Sequence, residues 1–522
     1  VGGRFSAVRP GTLTVVVGLL LAVGVGIAEV LYRLPVVRYD QVNYMNAARA
    51  FPDQARYAPM HQLLRYGLIV PMRMAQELFG YSEAAYLAVP MVAGIGLAVG
   101  VYGLSVLLFN RWVGLAAGAL TVGNSLVFQD LTTPLPDLLA TAILCWALVI
   151  VVAVRQRRRL VTCSPTRETG ALLGIGLLLG WSYLTREFIV PTFGLVPLVL
   201  LGRVPVRRML WIALPLAGVA IGEAVFNFAH VGDPLARLHA SEVHGHAGPK
   251  ATAAWQLANL GHPPLWYLGR LPVALASTPE GLALILCVVG TLLGALYSRK
   301  IAFLLAWTLL FYVPLVLLGG ILDPWHPKLR INVGRYWTAI IPALVLGGVA
   351  CAWLLIHNRA KVAPYLRHRT RLAGIVAGLA LLAVVAVPVG IAQNARATGE
   401  TDPFGRYAAN GATELEQFRT WLTRKSSTVR VLRADPSTIR VLNVYLNPLF
   451  GRPSWNGRIA VMHKIADARR GQYVVIYSAR SETCQSCMND AQHIYGKPVK
   501  IPSTWRQVVA IHDRRIEVYQ VG

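Results

Sequence analysis

A chain whose apolar residues come in runs of about twenty, parted by short arginine-rich connectors, has few ways to fold. Such runs lie near 12–34, 84–109, 113–129, 138–154, 170–184, 188–202, 209–228, 281–297, 301–321, 337–356 and 372–392. Roughly twenty apolar residues span the hydrocarbon of a bilayer as one helix. A helix is the expected form because backbone groups in lipid must be satisfied within their own segment. The predicted fold class is therefore an all-α polytopic membrane domain of about eleven transmembrane helices. With 55% hydrophobic and only 14% charged residues, the chain is excluded from the single soluble globules. Segments 170–184 and 188–202 are short for spans, and Pro191 and Pro197 predict a kink in the second.

The formal charge of +26 raises the question of nucleic acid, which depends on whether the basic residues form one face. They do not. Arg4 and Arg9, Arg111, Arg155 to Arg159, Arg203 to Arg208, Arg299 and Lys300, and Arg359 to Arg371 fall between apolar runs. That is the positive-inside pattern, and it predicts a multi-pass protein of the cell membrane with a cytoplasmic N-terminus. No nucleic-acid partner is expected. On this count 35–83, 130–137, Arg186 and Glu187, 229–280, 322–336 and everything after 393 face outward. The first run is not followed by a small-residue cleavage site, which predicts a retained span.

The most informative polar stretch follows that first run. Residues 36–72 read VVRYDQVNYMNAARAFPDQARYAPMHQLLRYGLIVPM, too polar to lie in lipid. Tyr44, Ala47, Ala48 and Phe51 recur at helical spacing while Asn43, Asn46 and Arg49 fall elsewhere, predicting a short amphipathic helix along the membrane surface. Asp40 stands at its start. Two roles are open to it: a cap on the first free N–H groups of the helix, or a general base taking a proton from an acceptor hydroxyl.

Charged groups at the mouths of spans are costly, which makes them candidates for function. Asp130 and Asp137 bracket DLTTPLPD, whose prolines oppose helix and hold a loop. Either acid is a candidate second catalytic carboxylate facing Asp40, positioning the acceptor or a divalent metal, while Asp137 as a helix cap is the plain alternative. Arg186 and Glu187, in YLTREF, have no room for a loop and are expected to neutralise each other. Glu223 lies in an apolar run with no neighbour in sequence to pair with, so a partner or a wet cavity is expected. The outward loop DPWHPKLRINVGRYW gathers His326, Lys328, Arg330 and Arg335 on the side that positive-inside bias disfavours. Cations there suit a phosphate, either of a leaving group or of lipid headgroups. Arg186 joins them as a candidate phosphate contact, and Tyr44, His61, Glu187 and Glu223 are candidate acceptor-binding or supporting residues. In the long loop 229–280, His239, Glu242, His244 and His246 have metal-like spacing but no thiolate and flanking glycines, which favours a solvated loop.

After 393 the composition becomes that of a soluble domain, predicting a boundary between a membrane domain at 1–392 and an outward mixed α/β domain at 393–522. Leu415, Phe418 and Leu422 mark a helix face. Val429 to Leu432, Tyr473 to Tyr477, Val508 to His512 and Ile516 to Val521 read as strands, the last two joined in a hairpin at Asp513 and Arg514. Cys484 and Cys487 are the one close cysteine pair, expected as a local disulfide in an oxidising compartment.

No GxxxxGK, Rossmann glycine pattern or GxSxG occurs, and an outward site has no access to cytoplasmic nucleotides. An activated substrate must then arrive in the membrane. The order of RYDQVNYMNAARAF, LFGYSEAAYLAVPMVAGIGLAVGVYGLSVLLF, TTPLPDLLAT, FAHVGDPLARL and RYWTAIIP resembles the GT-C superfamily of polytopic glycosyltransferases. The likeness is to the branch of the protein O-mannosyltransferases and the lipid A aminoarabinose transferase, over about the first 390 residues. Where that family shows two adjacent acids in the first loop, this chain has Asp40 and Gln41. The resemblance implies an inverting transfer from a polyprenyl-phosphate sugar, mannose or arabinose, to a glycan, glycolipid, protein or secreted metabolite at the outer face. No cofactor is required, although a divalent metal is an option. The rival class is a transporter or flippase of a lipid-linked or anionic substrate. Against it, no second copy of the YDQVNYMNAAR or TTPLPD pattern appears in the latter half.

Overall fold

The computed structural model describes residues 11–31, 40–53, 60–128, 130–245, 281–317, 334–357, 412–446, 455, 457–477 and 484–522. The span expected at 372–392, the loop residues His326, Lys328 and Arg330, and His246 lie outside them. The chain divides into two compact units, one of Val1–Arg33, Asn46–Met72 and Ala88–Gly390, the other of Leu34–Met45, Arg73–Leu87 and Ile391–Gly522.

Helices account for nearly all of the described residues up to 357. They are α1 (Thr12–Leu31), α2 (Asp40–Ala50), α3 (Met60–Leu63), α4 (Tyr66–Phe79), α5 (Glu83–Leu108), α6 (Arg111–Gly123), α7 (Ser125–Phe128), α8 (Pro136–Arg155), α9 (Arg159–Thr162) and α10 (Pro165–Thr185). A 3-10 segment, Glu187–Gly194, leads into α11 (Leu195–Leu200), followed by α12 (Val206–Val231), α13 (Ala236–Gly245), α14 (Gly281–Tyr297), α15 (Arg299–Leu317) and, after a 3-10 turn at Gly334–Trp337, α16 (Ile341–His357). Among the described residues α1, α5, α8 and α12 are long and apolar enough to cross a membrane. Their environments differ: the apolar window of α8 is 72% buried and that of α12 only 11%. Thus α8 runs through the protein core and α12 shows its apolar surface to the outside.

Small residues let the helices approach closely where no hydrophobic force separates helix from lipid. A Cβ at Gly176 would overlap the carbonyl oxygen of Ile212, and one at Gly180 would press on Val219, so α10 and α12 meet along a GLLLG stripe. In α6, Gly114 and Gly118 receive the backbone of Tyr102 and Ala98 in the same way. Asn110 caps α6, accepting from the N–H groups of Trp112 and Val113 at 2.9 and 3.0 Å. The span expected at 113–129 breaks at Asn124, whose side chain accepts from Leu126 N. The kink expected near Pro191 appears as the 3-10 segment, which contains that proline.

Two expectations need correction. Helix α2 is not a surface helix with one wet side: Gln41, Val42, Asn43, Tyr44, Met45, Ala47 and Ala48 are all buried and only Arg49 is exposed. Gln76 on α4 donates to the Met45 carbonyl at 2.9 Å, so side-chain amides satisfy polar groups that water would otherwise meet. The segment after α12 is also not a loop throughout, because α13 carries His239 and His244, with His239 Nδ1 2.7 Å from Asp233 Oδ2.

Beyond 411 the chain forms a five-stranded mixed sheet in the order β2-β1-β3-β5-β4, with β1 (Val431–Ala434), β2 (Arg458–Val461), β3 (Tyr473–Tyr477), β4 (Arg506–Ile511) and β5 (Ile516–Gln520). Strand β1 runs parallel to β2 and β3, and β5 is antiparallel to β3 and β4. Leu415, Phe418 and Leu422, on α17 (Ala412–Arg424), are fully buried, as their spacing predicts. The β4–β5 hairpin turns at Asp513 and Arg514, both at positive φ. Helices α18 (Pro436–Leu446) and α19 (Gln485–Tyr495) and strand β2 were not evident from the residue pattern. Cys484 and Cys487 form a disulfide at the start of α19.

Candidate active site

Three arginine–carboxylate pairs gather in the first unit. Arg186 Nε lies 2.9 Å from Asp137 Oδ1, Arg65 Nη2 lies 3.7 Å from Glu187 Oε1, and Arg237 Nε lies 2.6 Å from Glu223 Oε1. The three guanidinium groups all bear on Glu187, so the pairs are one cluster. Five of the six side chains are no more than 8% exposed, and Glu187 is the most open at 16%. Charges this far from water are tolerated only when paired.

Local structure explains why each residue is there. Pro136 and Asp137 occupy the first turn of α8, where a missing N–H costs nothing and a carboxylate meets the positive end of the helix. Arg186 terminates α10 in extended conformation, donating its own N–H to Ser182 O at 2.8 Å. Its guanidinium then lies 4.5 Å from the Phe188 ring centroid and 5.0 Å from that of Tyr336, in the RYWT turn. Arg237 projects from α13 and donates to the carbonyls of Leu64, Tyr183 and Leu184 at 2.5, 2.7 and 2.9 Å. Two of these are last-turn carbonyls of α10, which have no partner inside the helix. Gly67 permits the close approach of α4 here, since a Cβ would overlap Thr185, and Trp181 Nε1 donates to its carbonyl at 2.9 Å.

The expected pairing of Arg186 with Glu187 is corrected: adjacent residues at a helix end point apart, and each finds a distant partner. Glu223 has the partner its burial demanded. Asp137 is held by Arg186, and Arg186 Nη2 has no hydrogen-bond partner among the described residues. Asp130 is buried and accepts from Thr338 Oγ1 at 3.4 Å, which brings DLTTPLPD against the RYWT turn. His61 is half-buried on α3. Asp40 and Tyr44, on α2, belong to the second unit, with Asp40 half-buried in the first turn and Tyr44 fully buried. Arg335 lies in the Gly334–Trp337 turn. No group of three or more His, Cys, Asp or Glu residues placed to hold a metal occurs among the described residues.

Three charged residues escaped the sequence reading. Arg65 lies within the polar stretch already singled out, and Arg237 lies within the GDPLARL motif. Glu29 sits in the first apolar run, where any carboxyl is a signal by its cost alone. It is 1% exposed, its carboxyl lies against Gly94, and neither carboxyl oxygen has a hydrogen-bond partner among the described residues.

Residues 71–229 match the family model for dolichyl-phosphate-mannose-protein mannosyltransferase. Sequence comparison with curated proteins finds no match. Among solved structures, ArnT of Cupriavidus metallidurans bound to undecaprenyl phosphate is similar over 98% of both chains, at 13% identity and a TM-score of 0.52. Its apo form gives 14% identity and 0.51 over the same coverage. The oligosaccharyltransferase of Archaeoglobus fulgidus, tethered to an acceptor peptide with the NVT sequon, matches 86% of this chain at 12% identity and a TM-score of 0.48. The chain spans 64% of that protein's length. With the motif order, the family match across the DLTTPLPD and Arg186 segments and the end-to-end likeness to ArnT, the chain has the GT-C fold of the polytopic membrane glycosyltransferases.

Proposed function

We propose that this protein transfers a sugar, mannose or arabinose, from a polyprenyl-phosphate donor to an acceptor at the outer face of the cell membrane, with inversion. The observation that supports it most is the buried Arg–carboxylate cluster on a GT-C fold, within which Arg186 Nη2 has no hydrogen-bond partner among the described residues. Each ion pair is neutral within itself, so the cluster cannot by itself neutralise a phosphate. That task falls to His326, Lys328, Arg330 and Arg335, with Arg186 Nη2 as one further donor.

In the proposed reaction an acceptor hydroxyl attacks the anomeric carbon as Asp40 takes its proton. The bond from that carbon to the phosphate oxygen breaks, and its electron pair leaves with the lipid phosphate. Asp40 is the preferred base for its place at the start of the outward stretch that follows the first apolar run, where a carboxylate can take a proton from an acceptor hydroxyl. Neutralising the phosphate makes it a competent leaving group, so no nucleotide is needed.

The test uses purified full-length protein in detergent with polyprenyl-phosphate mannose and polyprenyl-phosphate arabinose. Release of polyprenyl phosphate with sugar appearing on an acceptor is expected, without any gradient. Movement of intact donor across sealed vesicles, with no cleavage in detergent, would establish the transporter reading instead.

A further inference from the structure

Four of the five strands of the C-terminal sheet start at the same end of it. β1, β2 and β3 are parallel, and β4 runs with them because it and β3 are both antiparallel to β5. That shared end carries arginines. Arg458 opens β2 opposite Val431, and its N–H donates at 3.0 Å to the carbonyl of Arg430, directly before β1. Arg469 and Arg470 lie in the turn into β3, which the Gly471 N–H ties to Val521 O at 2.9 Å, just past the end of β5. Arg506 opens β4 and donates from Nη2 to Gln520 Oε1 at 3.0 Å. All five are exposed and follow one another across the sheet from β2 to β4, a row of about 19 Å at the usual strand spacing. Lys425, Lys497 and Lys500 add exposed charge in the connectors that lead into β1 and β4.

The acids of this domain gather at the other end. Asp435 directly follows β1, and Asp490 accepts from Ser437 N at 3.1 Å. Glu414 accepts at 3.2 Å from the hydroxyl of Tyr477, the last residue of β3, and Glu517 stands opposite Ile476. Glu414, Asp435 and Glu517 are buried, and Asp513 is the one exposed acid among the described side chains of this domain. Cations at that end are answered: Arg514 Nε lies 2.7 Å from Glu517 Oε1, and Arg515 Nη1 lies 3.7 Å from Glu414 Oε2. None of the five arginines of the row has an acidic partner among the described residues.

Orientation does not account for the row, because the expected sidedness puts this domain outside, where positive-inside bias disfavours cations. Like charges in a line repel one another, which favours a partner that neutralises several at once. Guanidinium groups match carboxylate and phosphate with paired hydrogen bonds. A lipid surface fits less well, since Val461 and Ile465, the exposed large apolar residues of the described part of this domain, lie at the end of β2 and beyond it. No apolar anchor accompanies the charge. Nucleic acid fits less well too, since Trp455 and Trp505, just before β2 and β4, are buried and offer bases no stacking face. We infer that the arginine row docks an anionic glycan, a chain with carboxylate or phosphodiester groups on successive units, as the acceptor. The acceptor role rests on the glycosyltransferase reading, whereas the binding of a polyanion does not.

Fluorescent polygalacturonate and polyphosphate, added to the full-length protein in detergent, test it, with neutral dextran as the control polymer. At least one polyanion should bind and be released as salt rises, while dextran should not bind. Arg458→Gln, Arg470→Gln and Arg506→Gln should each weaken binding about fivefold, the upper range for an exposed ion pair, and about a hundredfold together. Lys464→Gln makes the same charge change at an exposed position past the far end of β2, and should alter affinity by less than about twofold. An equal loss in Lys464→Gln would reduce the effect to net charge and overturn the row. Binding to phosphatidylglycerol vesicles or to a single-stranded oligonucleotide, with neither polygalacturonate nor polyphosphate bound, would overturn it as well, as would no binding at all. If a polyanion binds through the row but no lipid-linked sugar is ever cleaved, the transferase reading fails and the docking surface stands. If transfer proceeds with acceptor KM unchanged in the triple variant, the row fails as an acceptor surface and the transferase reading stands.

Discussion

Asn caps a helix nearly as well as Asp but cannot take a proton, so one substitution separates the two roles open to Asp40. Asp40→Asn should fold and bind donor yet transfer sugar about a hundredfold to ten-thousandfold more slowly, the usual cost of losing a general base. Steady-state transfer rates in the folded variant decide it, and near-normal turnover would leave Asp40 as a cap only. Arg237 supports a different expectation. Removing it strands Glu223 in a buried site and frees three backbone carbonyls, so Arg237→Leu should cost about 3–5 kcal/mol. Adding Glu223→Gln should recover part of that loss, because a neutral amide does not carry the charge penalty. Thermal unfolding of single and double variants in detergent measures the coupling.

At the scale of elements, the α10–α12 contact positions the cluster, since α10 ends at Arg186 and α12 carries Glu223. Gly176→Leu would push α12 away at the carbonyl of Ile212. Overpacking of this kind costs about 1–3 kcal/mol, and here it should also lower transfer by separating Glu223 from Arg237. An unchanged melting temperature and rate would show that the helices do not need this approach. In the C-terminal sheet, Asp435 caps α18, accepting from Thr438 N at 2.7 Å. Burial, aided by nearby Asp490, pushes its carboxyl up from 3.8 to about 6. A raised acid contributes its stability fully below 3.8 and loses it as pH rises through 6. Asp435→Asn keeps the cap without the charge. It should therefore stabilise this domain by about 2–3 kcal/mol at pH 8 and by nothing at pH 4, read from unfolding of the full chain at both pH values.

For the whole molecule, the expected sidedness places the connector 155–169 inside and residues 393–522 outside. Cys163, exposed in that connector, supplies an internal control. In intact cells an impermeant maleimide should label Lys425→Cys and leave Cys163 unlabelled until the membrane is permeabilised. The opposite order would invert the topology and remove the outer-face site with it.

The sequence by itself determined the helical membrane class, the break near 190, the buried face of α17, four of the five strands in outline, the hairpin turn and the cysteine pair. Each is local: a run of apolar residues, a proline, a spacing of three or four, a separation of three. It also marked Asp137, Arg186, Glu187 and Glu223 as costly enough to need a reason. Only the tertiary structure decided who pairs with whom. Arg186 and Glu187 look like a pair because they are adjacent, yet a helix ending between them sends one side chain to Asp137 and the other to Arg65. Tertiary packing likewise turned α2 from a surface helix into an enclosed one. Its polar residues signal exposure in the sequence, but buried amides can serve where water would. The stacking of Phe51 on Phe226 shows the same limit, since the two are 175 positions apart and meet only after folding. Periodicity reports which residues share a face of one element, whereas an ion pair or a pocket depends on the registry between elements, which no local pattern encodes.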